Sequence, residues 1–145
     1  MFRDYNFYNM RPITKSMLAW WAFQDDSQPL MSLETSFDIE HIFAKNRVSH
    51  ETMANTSNVE KLGNKAILEK RINIRASDYK FEDKQKYYLG FESQGKRKEG
   101  TKVKELLDMA NTKVDFSEDD ILKRHANILD GFIDFLRNNN LIKEQ

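Results

Sequence analysis

Four residues of this chain have the types and order that chemistry on a phosphate would need. Glu40 and His41 stand side by side, Asn64 follows a glycine, and Asn73 comes nine residues later. A carboxylate and an amide carbonyl are hard oxygen donors of the kind magnesium takes, with waters and a substrate phosphate completing its shell. A histidine beside such an ion, with a reference pKa near ~6.5, can take a proton from water. Taken singly, each residue also has a plain structural reading. A strand histidine can simply be a satisfied packing residue, Asn64 an ordinary turn asparagine, and Asn73 alone says almost nothing. The order of the four together carries the signal.

The elements that must position them can be read from hydrophobic spacing. Phe37 to Phe43 alternates apolar and polar residues, the period of a strand, so Glu40 and His41 point to opposite faces unless the strand end twists. Residues 45–61 are polar without a period and read as a long connecting loop, of the kind that is often functional. Leu62-Gly63-Asn64 reads as a turn feeding a short strand over Lys65–Leu68. Residues 70–89 are helical in character, with Ser77 or Asp78 able to cap a new stretch, and Asn73 enters this segment. Upstream, Thr14 can cap a helix beginning near Lys15; its stripe of Met17, Leu18, Trp20, Trp21 and Phe23 makes the tryptophans packing residues rather than base-stacking platforms. Downstream, Glu92–Gly100 reads as a basic linker, Thr101 as a cap for a helix carrying Val103, Leu106, Leu107 and Ala110, and Ser117 as the cap of a last helix with Ile121, His125, Ile128 and Phe132 on one stripe. The expected fold class is α+β: a two-stranded antiparallel hairpin plus helix, embedded in additional helices.

The layout of strand, loop, strand and helix with His–Asn–Asn is that of a ββα-metal nuclease. Ile39-Glu40-His41-Ile42, Leu62-Gly63-Asn64 with Ile67-Leu68, Asn73, Phe81-Glu82-Asp83-Lys84 and Tyr87 or Tyr88 occur here in one order. That series resembles the C-terminal HNH nuclease domain of GmrSD-type modification-dependent restriction enzymes, and Ile121-x-x-Arg124 looks like that family's C-terminal helix. The step from Asn64 to Asn73 also resembles the HNH domain of the RNA-guided CRISPR nucleases. The chain departs from the pattern where the family has a proline soon after I-E-H-I, having Phe43-Ala44-Lys45, and at Lys65-Ala66. The resemblance covers about residues 14–137. Residues 1–13 then form an N-terminal extension, and 14–145 one HNH nuclease domain with its core motif in 37–90, either free-standing or part of a longer protein.

The resemblance implies a DNA endonuclease or nickase acting in restriction or anti-phage defence. It implies a single divalent ion, magnesium or manganese, held by Glu40 and Asn73. His41 would be the general base, and Asn64 would orient His41 or support its loop. Lys84, Lys80, Arg71 and Arg75 are candidates for contacts to the DNA backbone, which confer affinity without sequence choice; Lys84 could instead pair with Glu82 or Asp83. His50 reads as a solvent-exposed loop residue and His125 as a packed one. The expected partners are DNA and a nucleotide-binding domain or subunit of the same system, and the alternative is a non-cutting DNA- or protein-binding module on an HNH-like fold.

Composition bounds these readings. A chain of 145 residues, 39% hydrophobic and 32% charged, has the size of one domain. No apolar run approaches the ~18–20 residues that span a bilayer, and the N-terminal stretch shows no secretory pattern, so a cytoplasmic protein without membrane partners is expected. The absence of cysteine excludes thiolate zinc, and with it a structural zinc knuckle, as well as cysteine nucleophiles. Lys+Arg 23 balance Asp+Glu 23, which by itself argues against a nucleic-acid binder. The zero is unevenly distributed: residues 1–40 carry −3, residues 41–104 carry +7 and residues 105–145 carry −4. The basic centre is a candidate anion-binding face.

Overall fold

The computed structural model describes residues 11–143. Its centre is a pair of antiparallel strands, β1 (Phe37–His41) and β2 (Lys65–Glu69), in the register Phe37↔Glu69, Ile39↔Ile67 and His41↔Lys65. β1 alternates only over Phe37–Ile39, since Ile39, Glu40 and His41 are all partly buried, and β2 is buried at all five positions, Lys65 and Glu69 included. The strand expected over 37–43 ends at His41. Ile42 and Phe43 are nonetheless buried, because their backbone N–H groups are taken by the carbonyl and the side chain of Asn64, at 2.9 and 2.6 Å. The 42–64 connection is far from featureless: it winds through three 3-10 turns, Lys45–Ser49, Thr56–Glu60 and Leu62–Asn64.

Helices enclose this pair. α1 (Arg11–Ala22) starts earlier than the expected Lys15, with Pro12 in the first turn, where its missing N–H costs nothing. Thr14 is therefore a wholly buried residue inside the helix rather than its cap. Both tryptophans pack as expected: Trp20 lies edge-on to Phe132 and Phe135, and Trp21 donates its indole N–H to Glu105. The segment expected to be one helix over 70–89 becomes helical only in its second half, α2 (Phe81–Leu89). Ile72 and Ile74 recur at period two and pack against the core as extended chain. Asn46 holds the Ala76 carbonyl at 3.0 Å, and Arg71 holds those of Glu99 and Gly100. No side chain caps α2; Glu82 and Asp83 in its first turn suit the helix dipole instead.

The expected basic linker is a second hairpin, β3 (Gly90–Ser93) with β4 (Lys96–Glu99). Gln94 and Gly95 both have positive φ, 52° and 77°, the signature of the two-residue turn that matches strand twist. α3 (Lys104–Thr112) follows, and Thr101 sits just ahead of it, accepting from the Val103 N–H and donating to Glu69. α4 (Glu118–Asn138) begins with the expected Ser117 cap, closed into a capping box by Asp120. The result is α+β, with four α-helices around two small antiparallel hairpins among the described residues.

Candidate active site

The end of β1 delivers Glu40 and His41 to opposite sides, and each is met by a different element. On one side His41 Nε2 lies 3.3 Å from Glu60 Oε2, and the ring is 19% exposed. Burial pulls the His41 pKa below the ordinary 6.5, and the hydrogen bond and charge of Glu60 only partly restore it. His41 is thus neutral at neutral pH, the state a general base needs. Burial would raise the Glu60 carboxyl, but His41, then Lys45 and Lys65, outweigh it and hold the pKa below its usual value. Lys45 and Lys65 approach Glu60 at 3.2 and 3.3 Å. Glu60 is the residue that sequence reasoning missed. It lies in an aperiodic polar segment, and only the closing of the 42–64 connection brings it back to β1.

On the other side Glu40, 11% exposed, pairs with Lys84 of α2 at 3.0 Å and accepts the Tyr88 hydroxyl at 2.8 Å. Burial first, then the neighbouring Glu40 charge, pushes the Tyr88 phenol well above its ordinary pKa, so it stays a donor. Lys84 also donates to the His41 carbonyl at 2.8 Å. A lysine expected to be a DNA-backbone contact or to pair with Glu82 or Asp83 is therefore buried and committed to the strand. Residues 84 and 88, one turn apart on α2, form a two-point clamp on Glu40.

Asn64 is wholly buried. Its side chain accepts from Phe43 N and donates to the Phe43 and Val59 carbonyls, at 2.6, 2.9 and 2.9 Å. It makes no contact with the His41 ring; it fixes the backbone two residues beyond His41 and the turn that carries Glu60. Behind it, Gly63 meets α4 so closely that a Cβ would lie 2.1 Å from the Ile121 carbonyl oxygen. His125 accepts from the Gly63 N–H at 3.2 Å. Arg124 donates to the Gly63 and Lys65 carbonyls at 2.9 and 2.6 Å, and pairs with Glu105.

Glu40 and His41 border one cleft of about 260 Å³ with Lys45, Arg75, Asp78 and Lys84. Asn73 is exposed and lines the adjoining groove instead, and Arg75 borders both. Arg75 is paired with Asp78 at 3.0 Å, and Lys80 is exposed at the start of α2. His50 is exposed as expected and stacks flat on Tyr79, with ring centroids 4.1 Å apart. Among the described residues no three His, Asp or Glu side chains converge on a point that could hold a metal. Glu40 at the cleft and Asn73 in the neighbouring groove are oxygen donors of the kind a hard ion takes when it keeps most of its waters. Glu40 keeps acceptor capacity beyond Lys84 and Tyr88, since a carboxylate offers about four lone-pair sites.

A family model described as GmrSD restriction endonucleases, C-terminal domain, matches residues 1–130. No curated protein and no solved structure matches the chain. No helix of the described residues is long and apolar enough to cross a membrane.

Proposed function

The chain belongs to the C-terminal domain family of the GmrSD restriction endonucleases, a nuclease family, and we propose that it is an HNH-type enzyme hydrolysing phosphodiester bonds of DNA. The observation that carries this reading is the neutral, half-buried His41 on the rim of a cleft that also holds Glu40. His41 takes the proton of the attacking water. Glu60 holds the imidazole from the side away from Glu40 and stabilises the imidazolium that forms. Asn64 acts as a positioning residue through the Phe43 and Val59 backbone. Glu40 and Asn73 hold a single magnesium or manganese ion, with Glu40 kept in place by Lys84 and Tyr88. When bound, that ion supplies positive charge at the phosphate and at the leaving 3′ oxygen. Lys80, Arg71 and Arg75 remain candidates for phosphate contacts, whereas Lys84 serves the site by holding Glu40.

Restriction or anti-phage defence in the cytoplasm, with a nucleotide-binding domain or subunit as partner, is the setting this reading implies. Supercoiled plasmid incubated with the protein and magnesium or manganese is expected to become nicked or linear, and excess chelator to stop it. Cleavage indifferent to chelator contradicts the metal role. Asn73→Ala is expected to raise the magnesium needed for half-maximal cleavage by roughly tenfold or more. An unchanged titration removes Asn73 from the ligand set.

A further inference from the structure

The second hairpin carries a charged face that the reaction centre does not use. Phe91 and Lys98 are cross-strand partners, as are Ser93 and Lys96 one step nearer the tip, so all four side chains share one face. Lys98 Nζ stands 5.6 Å from the Phe91 ring centroid, and Lys86 Nζ of α2 stands 4.3 Å from it. Tyr87 meets the same ring edge-on. The ring attracts these ammonium groups and steadies their long side chains without neutralising them. Arg71 and Arg75, by contrast, are already paired with Glu69 and Asp78.

Arg71, Arg75, Lys86, Phe91 and Lys98 wall a groove of about 580 Å³ whose lining includes one acid, Glu99, and Lys96 lies beyond it towards the hairpin tip. The groove contains Asn73 and shares Arg75 with the cleft of His41 and Glu40, so it continues the reaction centre outward. The Gln94–Gly95 turn fixes the twist of the hairpin that presents the outer lysines.

We propose that the β3–β4 hairpin is a backbone-binding arm, on which Lys86, Lys96 and Lys98 follow successive phosphates of duplex DNA leading away from the cut site. The chemistry suits a polyanion: three lysines that make no ion pair among the described residues stand on or beside one hairpin face and the groove it walls. Such contacts give affinity and register but no sequence choice. The proposal rests on the reading that DNA is the substrate, and a binding measurement without metal separates the two.

Binding of a fluorescent duplex by the full chain is followed by anisotropy in chelator across a salt series, for the wild type and for the triple variant K86Q/K96Q/K98Q. The variant is expected to bind at least about tenfold more weakly at low salt. Its plot of log affinity against log salt should be shallower by about 2 to 3, one unit for each lost phosphate contact. An unchanged melting midpoint shows that the fold is intact. A control carrying K15Q and K123Q, on exposed positions of α1 and α4, should bind as the wild type does. An unchanged slope in the triple variant, or an equal loss in the control, overturns the proposal. Polyglutamate bound as tightly as the duplex assigns the face to an acidic polypeptide and overturns it as well. Duplex binding with the expected slope change, in a protein that cuts no DNA in magnesium, supports the arm and counts against the hydrolytic reading alone.

Discussion

At the residue scale, the site depends on two acids that do opposite things to two bases. Glu60 leaves His41 neutral yet oriented, because its pull on the proton is outweighed by the burial of the ring. Glu40 is clamped by the Lys84 ammonium and by the Tyr88 phenol, which its raised pKa keeps a donor. Glu60→Gln removes the hydrogen bond and the charge that raise the His41 pKa, so the imidazole should titrate at lower pH than in the wild type. An NMR titration of His41 checks this; a pKa unmoved or raised contradicts the assigned contact. The same shifts set an acid limit on stability. His41 binds its proton less readily folded than unfolded, so its contribution is present above about 6.5 and lost as pH falls through its folded value. Glu60, also depressed, contributes above its unfolded range near 4.5 and loses that contribution as pH falls further. Thermal melts should therefore weaken progressively below about pH 6.5, and between about pH 6.5 and 4.5 more steeply in Glu60→Gln, whose lower His41 pKa enlarges that loss.

At the element scale, the 42–64 connection is the part that turns a strand pair into a site, and it is held from α4. Gly63 admits the α4 backbone, Arg124 collects the carbonyls of the 62–65 turn, and Glu118 accepts from Ala54 N, Asn55 N and the Asn58 amide. Gly63→Ala forces a Cβ into the Ile121 carbonyl and should destabilise the protein by about 3 kcal/mol in urea titration. Arg124→Met leaves the partly buried Glu105 without its cation and the Gly63 and Lys65 carbonyls without their donor, and should cost about 1–3 kcal/mol. Loss of either below ~1 kcal/mol would mean that the turn is held some other way. The hairpin of β1 and β2, the last helix with its Ser117 cap and the packing tryptophans were all legible in the sequence, because periodicity and caps are local. Residues 70–80 were misread as helix although Ile72 and Ile74 stand at the period of two, because the pair is too short a pattern to outweigh the helical segment that follows, and side chains from distant segments decide the outcome. The 90–99 hairpin was read as a linker because every β4 side chain is exposed, which leaves no apolar alternation to find. Glu60 and the buried pairing of Lys84 with Glu40 arise from tertiary closure and leave no local trace.

At the scale of the whole molecule, the neutral net charge is the sum of a basic working surface and acidic supports. Four of the nine acids of residues 105–145 hold other parts of the fold in place. Glu105 holds Arg124, Asp115 holds Arg47, Asp120 closes the α4 cap and Glu118 binds the 54–58 turn. The basic excess of residues 41–104 is left on the loop after β2, on α2 and on the second hairpin. A charge map of the sequence foresaw the basic centre but not that its acidic flanks would serve as staples. The role proposed for His41 is to activate the water that cuts DNA. Supercoiled plasmid incubated in magnesium with equal amounts of the wild type and folded His41→Ala tests it most directly. Conversion to nicked or linear DNA by the wild type, with a loss of at least about a hundredfold in the variant, is the expected result; equal rates for the two proteins would contradict it.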